Sequence, residues 1–368
     1  MKKLFLSTLA QITLAVSCLA QVSTQPVGFN TVTALGNSDT RFSAPLHRTP
    51  VFSGTVQSVT GNVIVVQETT AWSVNQFVYS AGVQTDTYYV SFTSGSKPGM
   101  FYTVTANDAT SVTLDLNGDA IAPDGVVQGD SLMIIPYWTL ASLFPGQAGI
   151  TGTTNIFGTG ALTQILLTDG TAVGKNLAAT HTYYYFTGSS NGGPGWRRVG
   201  GGFSNIKNDD VILPDMPLIV RQNNVPTSQI TVTGNVPVAE RRHLIGTLAA
   251  NTVQDNIIAV DLPVPLTLTQ SNLYESGAFA GTANIFGTGG DQLLVFDDSV
   301  ASYNKSASST YYYFTGSTNG GPGWRKVGGG FSTIQNTTVA LQPGSGYIIR
   351  KQATASPATT VWNIPLTY

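Results

Sequence analysis

The chain has 368 residues and a formal net charge of −2, with 10% charged residues and 42% hydrophobic ones. It has no basic run, which excludes a charge-driven nucleic-acid interface, and its hydrophobic content excludes a disordered tail. The single cysteine, Cys18, excludes an internal disulfide, so the fold must rest on its core, for which the length is ample.

The first element is residues 1–20. Lys2 and Lys3 precede an apolar stretch from Leu4 to Val16, and Cys18-Leu19-Ala20 ends in small residues. This is the layout of a bacterial secretory signal cleaved after Ala20, with an apolar core too short to span a membrane. Reading Ala15-Val16-Ser17-Cys18 as a lipobox, with Cys18 lipidated, is the alternative, and Ala15 fits that pattern poorly. Either route predicts a secreted or cell-surface protein.

No amphipathic helix pattern of useful length follows. "GNVIVVQ" (61–67), "TYYVSF" (87–92), "SVTLDL" (111–116) and "QITVTG" (229–234) are short β-branched or aromatic runs bounded by Gly, Asn, Asp or Pro. Such runs with tight turns predict an all-β fold of tandem β-sandwich or barrel-like modules. Asp115-Leu116-Asn117-Gly118-Asp119 has the D-x-N-x-D spacing of a calcium loop, but it lacks the glycine and the distal glutamate of that loop. Asp115, Asn117 and Asp119 are a calcium candidate against the simpler reading of a turn after a strand.

The most informative element occurs twice. "TYYYFTGSSNGGPGWRRVGGGFS" (182–204) and "TYYYFTGSTNGGPGWRKVGGGFS" (310–332) differ only at Ser190/Thr318 and Arg198/Lys326. "NIFGTG" precedes both, at 155–160 and 284–289, and "LIVRQ" (218–222) reappears as "YIIRK" (347–351). Thr87-Tyr88-Tyr89, Pro98-Gly99 and Ser131 to Ile135 read as a worn third copy. The expected organisation is therefore an N-terminal β domain (21–146) with a degenerate repeat, then a duplicated region (147–368) with repeat cores 150–222 and 279–352. Each unit is a hairpin plus a third strand, stacked on its neighbours.

The repeats offer no shared catalytic group. Both hairpins lack Asp and Glu, Asp209-Asp210 becomes Thr337-Thr338, and His47, His181 and His243 stand at unrelated positions. No metal spacing, nucleophile elbow or phosphate loop is present, so neither an enzyme nor a cofactor is expected. Two readings of the aromatic residues remain. In one, Tyr184, Trp196 and Arg197, with Tyr312, Trp324 and Arg325, are exposed platforms for sugar rings; in the other they are core. The alternation of Trp362, Ile364, Leu366 and Tyr368 also suits the last strand of an outer-membrane barrel, although Pro365 interrupts it.

"PVGFNTVTALGNSDTRFSAPLHRTPVFSGTV" (26–56), "IIPYWTLASLFP" (134–145) and the "TYYYFTG…GWRRVG" units resemble an uncharacterised family of exported proteins from Verrucomicrobia and related bacteria, over nearly the whole mature chain. The resemblance implies lineage and export, with no activity or site residues attached. The expectation is a non-catalytic exported surface, structural or binding protein, with a carbohydrate-binding protein and an outer-membrane barrel as alternatives. Its expected partners are glycans or other cell-surface components, not nucleic acid, with self-association left open.

Overall fold

The computed structural model describes residues 25–119, 121, 125–158, 160 and 162–368, so the export signal and Cys18 lie outside the described residues. Two short helical turns at Leu140–Leu143 and Pro145–Gln147 are the only helices among the described residues, and the rest is strands and turns. The fold is all-β.

Two modules of the same design flank a small barrel. The first has a five-stranded sheet in the order Gly195–Arg198, Ala179–Phe186, Thr163–Thr168, Leu218–Gln222, Ser38–Phe42. The second repeats it as Gly323–Lys326, Ser309–Phe314, Gln292–Val295, Gly346–Lys351, Gln254–Ala259. A two-stranded ribbon faces each sheet: Val27–Ala34 with Ser228–Asn235, and Arg241–Thr247 with Ala358–Ile364. Alternating side chains meet between sheet and ribbon, as the two-residue period of a strand requires. In the first module Ile165, Tyr183, Trp196 and Val220 pack with Ala34, Ile230 and Val232. In the second, Leu293, Tyr311, Trp324 and Ile349 pack with Ile245, Trp362 and Ile364.

The barrel closes Phe52–Thr60, Val63–Val66, Ser111–Leu114, Phe101–Asn107, Tyr88–Phe92 and Ser131–Pro136 into one ring. Its interior is filled by apolar side chains such as Val56, Ile64, Phe92, Val104, Val112 and Ile134. Register shifts at Val56/Ser58 and Val104/Ala106 help it curl. The ring ends at Pro136, and the C-terminal strand belongs to the second module. The alternation at Trp362 and Ile364 therefore reports a face buried in that module's core.

Three expectations are corrected by this topology. Residues 25–50 do not form a domain with the barrel, because Ser38–Phe42 pairs with Leu218–Gln222 and Val27–Ala34 with Ser228–Asn235. The barrel is an insertion into the first module. Nor is 87–136 a third copy. In the modules a strand separates the aromatic strand from the "LIVRQ" strand, whereas Tyr88–Phe92 pairs directly with Ser131–Pro136 and the sheet closes. Finally, the repeated unit has four strands of its own plus a fifth from earlier in the chain, Ser38–Phe42 or Gln254–Ala259, because Thr163–Thr168 and Gln292–Val295 lie between the hairpin and the strand expected to be third.

The modules hold each other reciprocally. Asp39 takes Arg221 in a two-pronged pair at 2.7 and 2.8 Å, and Asn304 of the second module donates its backbone N–H to Asp39 (2.8 Å) while its amide oxygen accepts from Arg221 (2.8 Å). The mirror contact joins Asp255 to Arg350 at 2.7 and 2.9 Å, with Asn176 of the first module in the place of Asn304 at 2.7 and 2.9 Å. Both asparagines have left-handed φ, 49° and 55°, which aims N–H and side chain at the same ion pair. Each module thus sends one loop onto the other's Asp–Arg pair, as in a two-fold dimer made within one chain.

A buried charge cluster lies where both modules meet the barrel. Arg241 pairs with Asp261, and His243 sits 3.1 Å from Asp261 and 3.8 Å from Asp215. Burial alone would lower the His243 pKa, but these carboxylates outweigh it and raise it to about 9. His47 does the opposite: burial, with Arg241 nearby, lowers it to about 4, and its Nδ1 lies 2.8 Å from the Arg48 carbonyl. The His243 contribution is complete below its unfolded pKa of 6.5 and is lost as pH rises through 9. The His47 contribution is complete above 6.5 and is lost as pH falls toward 4. Stability measured by urea unfolding should therefore peak near neutrality, and His243→Asn should flatten the alkaline limb only.

Candidate functional site

The repeated hairpin is built from the inside out. Tyr183 and Tyr185 face the module core beside Trp196, while Tyr184 and Phe186 lie on the opposite face. That outer face is covered by two loops rather than by solvent. The side chains expected to form platforms, Tyr184, Trp196 and Arg197 with Tyr312, Trp324 and Arg325, are all at most 2% exposed. They are not platforms open to a sugar. A planar ring or guanidinium under two loops has no free face to offer.

These residues instead fix the two loops. The Arg197 guanidinium donates to the carbonyls of Phe203 (2.8 Å), Trp196 (3.1 Å), Asn191 (3.1 Å) and Gly193 (2.8 Å), with no carboxylate partner among the described residues. Arg325 repeats this with Phe331, Trp324, Asn319 and Gly321 at 3.0, 3.2, 3.1 and 2.7 Å. Five donors in a planar fork suit an arginine to gathering several carbonyls at once. Gly193 and Gly321, with φ 84° and 83°, turn their carbonyls toward it, and a Cβ there would meet open space. The turn needs their backbone freedom, not their small size.

The second loop is "NIFG". Asn155 accepts from the N–H of Phe157 on its side chain (3.0 Å), and Asn284 accepts from Phe286 in the same way (2.9 Å). The hydroxyls of Tyr184 and Tyr312 donate to the carbonyls of Ile156 and Ile285. Gly158 and Gly287 lie against these rings, where an added Cβ would stand 2.5 and 2.8 Å from the tyrosine carbons. The isoleucine packs inward and the phenylalanine points out.

The result is an exposed aromatic pair in each module. Phe157 meets Phe203 edge to face at 4.9 Å, and Phe286 meets Phe331 at 5.2 Å. Their exposures match between copies, 60% and 46% in the first, 66% and 48% in the second. Val199, with its twin Val327, extends the apolar area. In the second module, Phe286, Phe331, Val327 and Lys326 border a recess of about 450 Å³ with Tyr312 in its wall. The hairpin edge itself is closed to strand addition. The N–H of Trp196 donates to the Asn208 side chain and its carbonyl accepts from Lys207, with the same contacts at Asn336 and Gln335. Sequence reading missed the phenylalanines because a Phe in a glycine-rich turn resembles core; their matched retention in both copies was the available signal.

The calcium candidate is corrected as well. Asp115 accepts from the N–H of Asn117 in a tight turn (3.0 Å), and both oxygens of Asp119 are held by Lys97 at 3.0 Å. A lysine already neutralises the carboxylate that a cation would need. Among the described residues, no three His, Cys, Asp or Glu side chains gather as metal ligands. No family model, curated protein or solved structure matches the chain.

Proposed function

We propose that the protein is a non-catalytic exported binding component that presents two equivalent apolar sites, one per module, each centred on an exposed phenylalanine pair. The observation that carries this reading is the matched exposure of Phe157/Phe203 and Phe286/Phe331. A buried large apolar side chain contributes roughly 1.5–3 kcal/mol to folding, which these side chains largely forgo. The fold alone gives no reason to keep them in both copies while the loops at 169–178 and 297–307 have diverged. Buried Arg197 and Tyr184 hold the presenting loops in place, which lowers the ordering cost of binding. The fitting partner group is an apolar or aromatic ring or side chain on an envelope component, flanked by Arg198 or Lys326 at the rim.

The test is a titration of the full mature chain with the apolar dye ANS. Two equivalent sites are expected, one lost in Phe157→Ser/Phe203→Ser and both lost when Phe286→Ser/Phe331→Ser is added. Dye binding that is unchanged in the four-fold variant would overturn the reading.

A further inference from the structure

Between the aromatic strand and the turn that follows the hairpin the two copies differ at few positions, and most of those positions line one cleft. Between 181 and 210 the first copy departs from the second at seven places: His181/Ser309, Ser190/Thr318, Arg198/Lys326, Asn205/Thr333, Lys207/Gln335, Asp209/Thr337 and Asp210/Thr338. Five of these first-module residues (His181, Asn205, Lys207, Asp209 and Asp210) line one cleft of about 810 Å³. Tyr79, from the barrel insertion, forms part of the same wall and has no counterpart beside the second module. Drift would scatter substitutions over both faces of the hairpin. Here the first copy carries ionisable groups (His181, Lys207, Asp209 and Asp210) where the second has neutral polar ones, beside the wall that the barrel adds.

The chemistry of the cleft is consistent from end to end. Leu167 and Met216 supply apolar surface and Tyr79, 44% exposed, supplies a ring, while Tyr183 is buried in the module core and reaches the cleft with its hydroxyl. The Tyr183 hydroxyl donates to Asp210 at 2.8 Å and Lys207 lies 3.7 Å from the same carboxylate, so that acceptor is held in place. His181 sits 6.2 Å from Tyr183, ring to ring. The carboxylates of Asp169, Asp209 and Asp210 outnumber the single Lys207, which opposes an anionic ligand. Carboxylates accept from vicinal hydroxyls, while Asn and Lys donate to ring and hydroxyl oxygens. Aromatic faces receive the C–H faces of pyranose rings.

We propose that this cleft, between the first module and the barrel, binds a short neutral oligosaccharide. The site is separate from the phenylalanine pairs and stands or falls independently of them.

The experiment is calorimetric titration of the full mature chain with maltotriose, cellotriose and chitotriose, and with trigalacturonic acid as the anionic control. At least one neutral trisaccharide is expected to bind, and the acid is expected not to. Asp209→Thr/Asp210→Thr, which installs the second module's residues, should weaken binding at least tenfold. Should that variant fail to fold, His181→Ser is to be read instead and should weaken binding severalfold with an unchanged Tm. Absence of binding by all three neutral sugars at millimolar concentration would overturn the proposal, as would binding indifferent to these substitutions. Selective binding of a basic peptide such as tetralysine in their place would mark the cleft as an acidic peptide site and would equally overturn it.

Discussion

Asp255→Ala is expected to destabilise the protein by about 3–5 kcal/mol, the cost of removing one partner from a buried ion pair. The Asp255 side chain is fully buried and accepts two bonds from Arg350 and one from the Asn176 backbone. Its loss leaves the Asn176 N–H without an acceptor and the Arg350 guanidinium without its carboxylate, and it weakens the hold on the first module's loop. Asp39→Ala should act in the same direction at the mirror contact, where Arg221 and Asn304 lose their acceptor. Chemical denaturation followed by tryptophan fluorescence checks both. Asn176→Ala is the informative control, since it keeps the ion pair and the backbone N–H to Asp255, removes the side-chain acceptor of Arg350, and places an alanine at a left-handed φ. Its effect should be smaller than that of Asp255→Ala and still measurable.

Trp324→Ala is the second large effect. The indole is fully buried against Phe279 at 5.0 Å and Tyr313 at 5.6 Å, in the centre of the second module's core. Truncating a buried tryptophan leaves a cavity as well as losing its transfer energy, about 3–5 kcal/mol in all. Trp196→Ala should match it, because Phe144 at 5.5 Å and Tyr185 at 5.6 Å enclose that ring in the same way. A clear drop in Tm for both variants is the expected result.

Much of this was legible in the chain. Strand runs and turn residues announced an all-β fold, and the near-identity of 182–204 and 310–332 announced a unit used twice. The strand between the hairpin and "LIVRQ" escaped because Ile165-Leu166-Leu167 and Leu293-Leu294-Val295 keep their apolar pattern while two of the three residues change identity. Packing constrains size and polarity more than residue type. The insertion escaped for another reason: Ser38–Phe42 pairs with a strand some 180 residues later, and no local signal records so distant a partner. Arg221 and Arg350 were visible in the repeated strand, but Asp39 and Asp255 lie outside the stretch that aligned. At the candidate site, pattern alone could not decide which aromatics face water. It marked Tyr184, Trp196 and Arg197, which are the supports, and passed over Phe157 and Phe203, which they present.

The central claim is this division of labour within one repeated unit, and the unfolding free energy of Phe157→Ser/Phe286→Ser tests it most directly. If these rings are kept for binding, removing both should change stability by less than about 1 kcal/mol, well below the effect of the single Trp324→Ala substitution. A loss as large as that of Trp324→Ala would show that the exposed pairs hold the fold, and would contradict the account.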